Sequence, residues 1–117
     1  MTAKVSIQEP LKHYQWGNGC DGWNFVSEPA LSVKQERMPG GTAEDLHYHR
    51  FAQQFFFMLK GKAVFEIDGK QIVLQEQEGI HIKPGQLHRI INQTDSAIEF
   101  ILSSQPSTDG DRFNIGL

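Results

Sequence analysis

Most of the chain consists of short runs in which apolar and polar residues alternate, and a period of two is typical of β-strands. Candidate strands occupy residues 30–38, 53–59, 62–67, 70–74 and 97–103. The dipeptide Asp68-Gly69 separates two of them and predicts a two-residue hairpin, because glycine adopts positive φ at little cost. No stretch has a convincing helical period. The pattern therefore predicts an all-β barrel or sandwich.

The strand predicted at 53–59 is apolar on both faces. One face carries Gln54, Phe56 and Met58, and the other carries Phe55, Phe57 and Leu59. We expect the Gln54 face to point into the barrel, which leaves the Phe55 face outside. An exposed apolar stripe of that size is unusual on a monomer, so it predicts a subunit interface and a homodimer.

The two ends of the chain differ from its middle. Residues 1–29 are polar and rich in turn-forming residues, which predicts an irregular N-terminal arm. Within the arm, Trp16 and Trp23 are expected to cover one end of the barrel, or alternatively to stack on a ligand or a second subunit. The barrel is predicted at 30–104, followed by a C-terminal tail, 105–117, that could cross a barrel mouth. At 117 residues in all, we expect one domain.

Composition excludes some classes of partner. The net charge of −3 and the pI near 5.9 provide no basic stripe for nucleic acid. The single cysteine, Cys20, has no partner for an internal disulfide, which is typical of a reducing compartment. There is no N-terminal apolar run and no hydrophobic segment long enough to span a membrane. A cytoplasmic protein without a nucleic-acid or membrane partner is therefore expected.

Candidate metal ligands are found in two segments. His47 and His49 are two residues apart, which places both side chains on one face of a strand. Gln54 begins the next strand, and a third histidine, His88, follows a Pro-Gly turn. Three imidazoles and a side-chain oxygen from neighbouring strands can bind one divalent metal ion.

The first of these segments resembles the first motif of the cupin family. That motif is a glycine, five residues, His-x-His, three or four residues, a glutamate, six residues and a second glycine. Gly41, His47, His49 and Gly61 have this spacing. Gln54 stands where the family usually has the glutamate.

The second segment resembles the second cupin motif, which ends Pro-x-Gly-x-x-His-x-x-x-Asn. Gly85, His88 and Asn92 fit this pattern. Lys83 occupies the proline position, with Pro84 one residue later, and Gln77 stands where the motif begins with glycine. The resemblance covers about residues 30–104, most of the chain.

The resemblance implies a double-stranded β-helix, or jelly-roll, barrel with one divalent metal bound by His47, His49, Gln54 and His88. The three-histidine, one-glutamine ligand set is similar to that of cupins that open unsaturated uronate sugars. It implies an enzyme that uses the metal as a Lewis acid on a small polar or anionic molecule, in an isomerase or lyase reaction. Two alternatives remain open at this point: a metal-dependent dioxygenase, and a cupin that binds or senses a small molecule without turnover.

Gln54 changes the electrostatics of the expected site. A glutamine supplies a neutral carbonyl oxygen, so the metal keeps its full charge and should bind an anionic ligand more readily. It also removes the anionic ligand that would help stabilise an oxidised metal, which disfavours the dioxygenase. The mixed nitrogen and oxygen ligands suit Zn, Ni, Fe, Mn or Cu, and do not choose among them.

Other polar residues are weaker candidates for the site. Arg37 and Arg112 are possible clamps for a substrate carboxylate, although each is more often a surface or structural residue. His13 has no motif partner and is expected at the surface. His81 lies outside the motif spacing, and the face it occupies cannot be inferred from the sequence.

Overall fold

The computed structural model describes residues 4–116, and the regular secondary structure in that range is all β-strand. The strands are β1 (Lys12–Trp16), β2 (Cys20–Glu28), β3 (Leu31–Met38), β4 (His47–Tyr48), β5 (Gln53–Lys60), β6 (Ala63–Ile67), β7 (Lys70–Leu74), β8 (Gly79–Ile82), β9 (His88–Ile91), β10 (Ile98–Gln105) and β11 (Phe113–Asn114). Within this range, no helix is long and apolar enough to span a membrane.

The strands form two antiparallel sheets. A six-stranded sheet has the order β1-β2-β3-β10-β5-β8, and a five-stranded sheet has the order β11-β4-β9-β6-β7. Neighbours in the sheets are mostly distant in sequence: β10 lies between β3 and β5, and β9 lies between β4 and β6. This is the jelly-roll arrangement, and the predicted fold class is confirmed.

The prediction of an irregular arm at 1–29 is wrong for most of that segment. β1 and β2 form a hairpin with Trp16 opposite Cys20, and β2 also pairs along β3. The turn-forming residues of this segment mark the hairpin bend, where Gly17 and Gly19 have positive φ angles of 54° and 74°. Backbone hydrogen bonds from β2 to β3 hold the residues on either side of the bend in strands, although their sequence has only a weak β pattern.

Alternation along β5 agrees with the sequence prediction. Phe56 and Met58 are buried, with exposed fractions of 3% and 0%, whereas Phe55 on the other face is 45% exposed. Gln54 shares the inward face and is also buried. The hairpin at Asp68-Gly69 joins β6 to β7 as predicted.

The apolar core fills the space between the two sheets. Its fully buried side chains come from both: Met38, Met58, Phe65, Ile82, Ile90, Ile98 and Phe100. Phe56 contacts both Phe65 and Phe100, with ring centroids 5.0 and 5.7 Å apart. Burial of this apolar area is the main force that holds the sheets together.

The C-terminal tail returns to the five-stranded sheet. β11 pairs with β4, so that Asn114 lies opposite His47, and the Phe113 ring stacks on Tyr48. Asp111, which precedes β11, is buried. The tail therefore lies beside the strand that carries the first two histidines of the metal motif.

Candidate metal site

The strand pairing of β4 with β9 brings the three motif histidines together. His47 lies directly opposite His88 in the ladder, and His49 follows β4 on the same face as His47. The ring centroids are 4.3 Å apart for His47 and His88, and 4.9 Å apart for His47 and His49. All three side chains are buried.

Backbone carbonyls fix the orientation of each imidazole. The Nδ1–H groups of His47, His49 and His88 donate hydrogen bonds to the carbonyls of Asp45, Asp111 and Gln86, at 2.7, 2.7 and 2.8 Å. A carbonyl can only accept, so each ring carries its proton on Nδ1 and leaves the Nε2 lone pair free. One ring nitrogen of each histidine lies within 4.8 Å of those of the other two.

Gln54 adds an oxygen to this cluster of nitrogens. Its amide nitrogen donates to Ser104 Oγ at 3.0 Å, which directs Oε1 towards the histidines. Oε1 lies 3.2 Å from Nε2 of His88. Because that Nε2 is unprotonated, two acceptors face one another with no hydrogen between them.

The cluster fits a cation on its own chemistry. Nε2 of His49 is buried and has no hydrogen-bond partner among the described residues. A buried acceptor without a partner is costly, and a centre made of acceptors alone is satisfied by a positive ion. Three imidazole nitrogens and an amide oxygen are ligands that divalent transition metals accept.

Burial keeps His47 and His88 neutral, which leaves a nitrogen lone pair on each ring for a metal. Desolvation lowers the pKa of His47 to about 4, with a further contribution from the nearby Arg112 charge. Desolvation also lowers the pKa of His88 to about 4. Near pH 7 both lone pairs are therefore available to a cation.

Asp111 locks the loop between the two halves of the ligand set, and sequence reasoning missed it. Its carboxylate accepts N–H bonds from Arg50, Phe51 and Ala52 at 2.8, 3.0 and 3.0 Å. Burial disfavours the ionised form, but these three bonds hold the pKa of Asp111 below its usual range. No local signal could have identified this residue, because its partners lie about 60 positions away in the chain.

At the end of β9, the side chain of Asn92, the last residue of the second motif, bonds backbone carbonyls. Its side-chain N–H₂ group donates to the carbonyls of Met38, Pro39 and Ser96 at 3.1, 3.1 and 2.9 Å. Its backbone carbonyl also accepts from the N–H of Gly41 at 3.0 Å. The residue thereby ties the end of β9 to the loop that leads towards the histidines.

Of the two candidate arginines, the structure brings only Arg112 near the histidines. Arg112 Nη1 lies 3.2 Å from Oε2 of Glu44, and the same oxygen is 3.9 Å from Nε2 of His47. Arg37 lies on the outer face of β3, 43% exposed and 4.0 Å from Asp21. A small pocket of about 190 Å³ is lined by Trp16, Gly17, Ala43, Glu44, Asp45 and Arg112.

Tyr14 and Glu36 form a second polar pair in the barrel interior. Gly22 lies between them in the register of β1, β2 and β3, and a Cβ at Gly22 would be 2.0 Å from the tyrosine ring. The missing side chain lets the ring cross β2, and its hydroxyl donates to the Glu36 carboxylate. Burial raises the pKa of Glu36 to about 7, although the Tyr14 bond lowers it, and the charge of Glu44 adds to the rise.

The two tryptophans and the two histidines outside the cluster lie in three different places. Trp16 packs against the core and donates from Nε1 to the carbonyl of Asp21 at 3.2 Å. Trp23 stacks on His13, with ring centroids 5.5 Å apart. His81 Nε2 contacts Gln53 Oε1 at 2.8 Å on the outside of the six-stranded sheet. His81 is not part of the histidine cluster.

The comparison with protein families agrees with this fold and site. Residues 34–104 match the family model described as "Cupin domain". The match covers more than half of the chain and includes the three histidines and Gln54. The chain belongs to the cupin family.

One curated relative shares part of its sequence with this chain. The tetracenomycin polyketide synthase protein TcmJ of Streptomyces glaucescens is 27% identical over 71 residues, which is 61% of this chain and 47% of the relative. The chain thus spans about half the length of the relative it matches.

Several solved structures share the fold at low sequence identity. The polyketide cyclase RemF of Streptomyces resistomycificus has a TM-score of 0.82 at 13% identity, over 100% of this chain and 87% of RemF. The nucleoside dehydratase Pac13 of Streptomyces has a TM-score of 0.81 at 14% identity, over 98% and 92%. An RmlC-like cupin from Shewanella frigidimarina scores 0.80 at 18% identity, over 93% and 96%. These likenesses show the fold alone.

Proposed function

We propose that this protein is a metal-dependent cupin enzyme that catalyses non-redox acid–base chemistry on a small, oxygen-rich substrate. The observation that carries the proposal is the set of three buried imidazoles whose Nδ1 protons are all used by backbone carbonyls. Their Nε2 lone pairs and the Gln54 oxygen would hold one divalent ion, of which Zn, Ni, Fe, Mn and Cu are the candidates. When bound, that ion would polarise a carbonyl or hydroxyl oxygen of the substrate.

One feature supports acid–base chemistry over oxygen chemistry. The raised pKa of Glu36, about 7, suits a group that accepts and returns protons near neutral pH. Tyr14 orients the Glu36 carboxylate through its hydroxyl hydrogen bond.

The substrate class follows from the residues around the pocket at Glu44. The pocket, about 190 Å³, has room for only a small molecule or part of a larger one. Arg112 supplies a guanidinium, which favours a carboxylate or another anionic group, and Trp16 supplies an apolar wall. We therefore infer a small acid bearing hydroxyl or carbonyl groups, such as a uronic acid or a keto acid.

The named relatives are compatible with such a reaction class. RemF is named as a polyketide cyclase and Pac13 as a nucleoside dehydratase. Proton removal and return at carbon or oxygen are steps common to cyclisation and dehydration. We also propose a reducing, cytoplasmic location, which the buried free thiol of Cys20 supports.

The experiment is a solvent-exchange assay with protein loaded in parallel with Zn²⁺, which has no redox chemistry, and with Fe²⁺, which does. A panel of uronic and keto acids is incubated in D₂O, and deuterium at carbon is followed by NMR alongside dissolved oxygen. We expect deuterium incorporation into at least one panel acid without oxygen uptake. His88→Ala should abolish the exchange, and His81→Ala, a histidine outside the cluster, should keep it.

Other results of the same assay would point elsewhere. Oxygen uptake that depends on His88 would replace the proposal with the dioxygenase. Tight binding of a panel acid without exchange or oxygen uptake would instead favour the binding or sensing cupin.

A further inference from the structure

The proposed ligand set leaves a buried ion without a compensating charge. His47, His49 and His88 are neutral ligands, and position 54 supplies an amide oxygen where a carboxylate would supply an anion. A buried charge is costly unless an opposite charge lies close to it. A negative group close to these histidines would supply that opposite charge, even if it lies outside the two motifs.

Glu44 is such a group. It precedes His47 by three residues, and its backbone N–H donates to the Ile90 carbonyl of β9 at 3.0 Å, which fixes it beside the strand that carries His88. Its side chain is 12% exposed, and Oε2 lies 3.9 Å from Nε2 of His47. Sequence reasoning did not single it out, because it lies outside the ligand positions of the motif.

The second oxygen of Glu44, Oε1, is a buried acceptor. Oε1 is buried and has no hydrogen-bond partner among the described residues, and the same is true of Nε2 of His49. Arg112 contacts the other oxygen, Oε2. The carboxylate can thus keep its ion pair with Arg112 and still have a free oxygen for a ligand.

The distance between Glu44 and His47 is compatible with a shared ion. Nitrogen and oxygen ligands lie about 2.1 Å from zinc, so two ligand atoms on one ion are about 3 to 4 Å apart. Oε2 of Glu44 and Nε2 of His47 are 3.9 Å apart, which is near the upper end of this range. Glu44 is not among the residues whose ligand atoms all lie within 4.8 Å of one another, so its side chain must rotate to share one ion with the three histidines.

We propose that Glu44 supplies the anionic ligand of the cation at this histidine cluster, in place of the carboxylate that position 54 lacks. This inference rests on the proposed metal site and adds to it a residue outside the two motifs. Arg112 is a positioning residue: its Nε donates to Asn114 Oδ1 at 2.9 Å, and its Nη1 holds Oε2 of Glu44. The cation, Glu44 and Arg112 would then form an alternating row of charges.

The test moves the negative charge from position 44 to position 54. The Zn²⁺ dissociation constant of metal-free protein is measured by competition with a chromophoric chelator at fixed pH. The variants are Glu44→Gln, Gln54→Glu and the double variant that carries both substitutions. Glu66→Gln is the matched control, because Glu66 forms an ion pair of the same kind, with Arg89 at 2.7 Å, on the outside of the barrel.

We expect Glu44→Gln to weaken Zn²⁺ binding by about 10- to 100-fold, since it removes the charge and keeps the shape. Gln54→Glu should restore binding when it is added to Glu44→Gln, and Glu66→Gln should leave the constant unchanged. Unchanged binding in Glu44→Gln, with His88→Ala still deficient, would overturn the role of Glu44 and leave the metal site intact. No Zn²⁺ binding by the native protein would overturn both.

Discussion

The barrel interior has two regions of opposite character, although the same strands build both. β5 contributes Met58 to one and Gln54 to the other, and β9 contributes Ile90 to one and His88 to the other. The apolar region is satisfied by its own contacts. The polar region consists of acceptors: the histidines, which backbone carbonyls orient, and Gln54, which Ser104 orients, and a positive ion would satisfy them.

The difference separates what stabilises the protein from what it can bind. Apolar side chains contribute free energy of folding wherever they are buried, so the apolar region stabilises the fold without any partner. In the histidine region, a buried acceptor without a partner is costly, and a bound ion would offset that cost. Substitutions in the two regions should therefore affect different measurements.

The largest effect on stability is expected in the apolar region. Phe100 is fully buried between the sheets, so Phe100→Ala should lower the free energy of unfolding by about 3 to 5 kcal/mol through lost burial and a new cavity. Urea unfolding of the metal-free protein measures this loss. The folded fraction should still bind one Zn²⁺ per chain. A loss of stability below about 1 kcal/mol would show that this residue does not hold the sheets together.

Asp111 should affect both stability and Zn²⁺ binding, because it holds a loop and orients His49, a proposed metal ligand. Asp111→Ala leaves three loop N–H groups without a partner and is expected to cost about 3 kcal/mol. It should also weaken Zn²⁺ binding, since the Asp111 backbone carbonyl orients His49. Asp109→Ala, in an exposed part of the same tail, is the control. Equal stability in the two variants would refute the locking role.

Glu36, which pairs with Tyr14 in the barrel interior, should make the stability of the protein depend on pH. The pKa of Glu36 is raised to about 7 in the folded protein, whereas it is near 4.5 in the unfolded chain. Its contribution to the free energy of unfolding is therefore fully present below pH 4.5 and is lost as the pH rises through 7. Between pH 5 and pH 8, the free energy of unfolding of the native protein should fall by up to about 2 kcal/mol relative to that of Glu36→Gln. This is less than the full pKa shift would give, because Glu36 is only partly buried. Urea unfolding of metal-free protein at both pH values measures the difference. A constant difference would contradict the raised pKa.

The smallest effect on stability is expected on the outside of β5. Phe55 is 45% exposed and stacks on Phe57, with ring centroids 6.4 Å apart. The homodimer expected from this exposed apolar face stays a prediction. Phe55→Asp should halve the mass found by analytical ultracentrifugation and change the monomer's stability by less than about 1 kcal/mol. Ile72→Asp, which is similarly exposed on β7, should remain a dimer. A native protein that sediments as a monomer would contradict the interface.

The sequence predicted the features that depend on local pattern. Alternation was enough to place Phe56 and Met58 inside and Phe55 outside, because a strand allows only two faces. The two cupin motifs singled out the three histidines, which the structure brings together. The β1–β2 hairpin was missed because its strands depend on pairing with β3, which local composition does not reveal.

The long-range polar contacts of Asp111 and Tyr14 could not be predicted for a different reason. Asp111 reaches the loop at 50–52 from the far end of the chain, and Tyr14 reaches Glu36 only because β1, β2 and β3 are in register across Gly22. Such contacts depend on tertiary packing and have no signature in neighbouring residues. Sequence motifs thus located the histidines, and the structure was needed to find these long-range contacts.

The most direct measurement of the metal site is isothermal titration of metal-free protein with Zn²⁺. Native protein and His81→Ala should each bind one ion per chain, because His81 lies outside the cluster. His49→Ala should lose that binding while its unfolding curve remains cooperative, because His49 Nε2 is a buried acceptor that no described residue satisfies. Equal binding by His49→Ala and native protein, or no binding by either, would show that these histidines do not hold the ion.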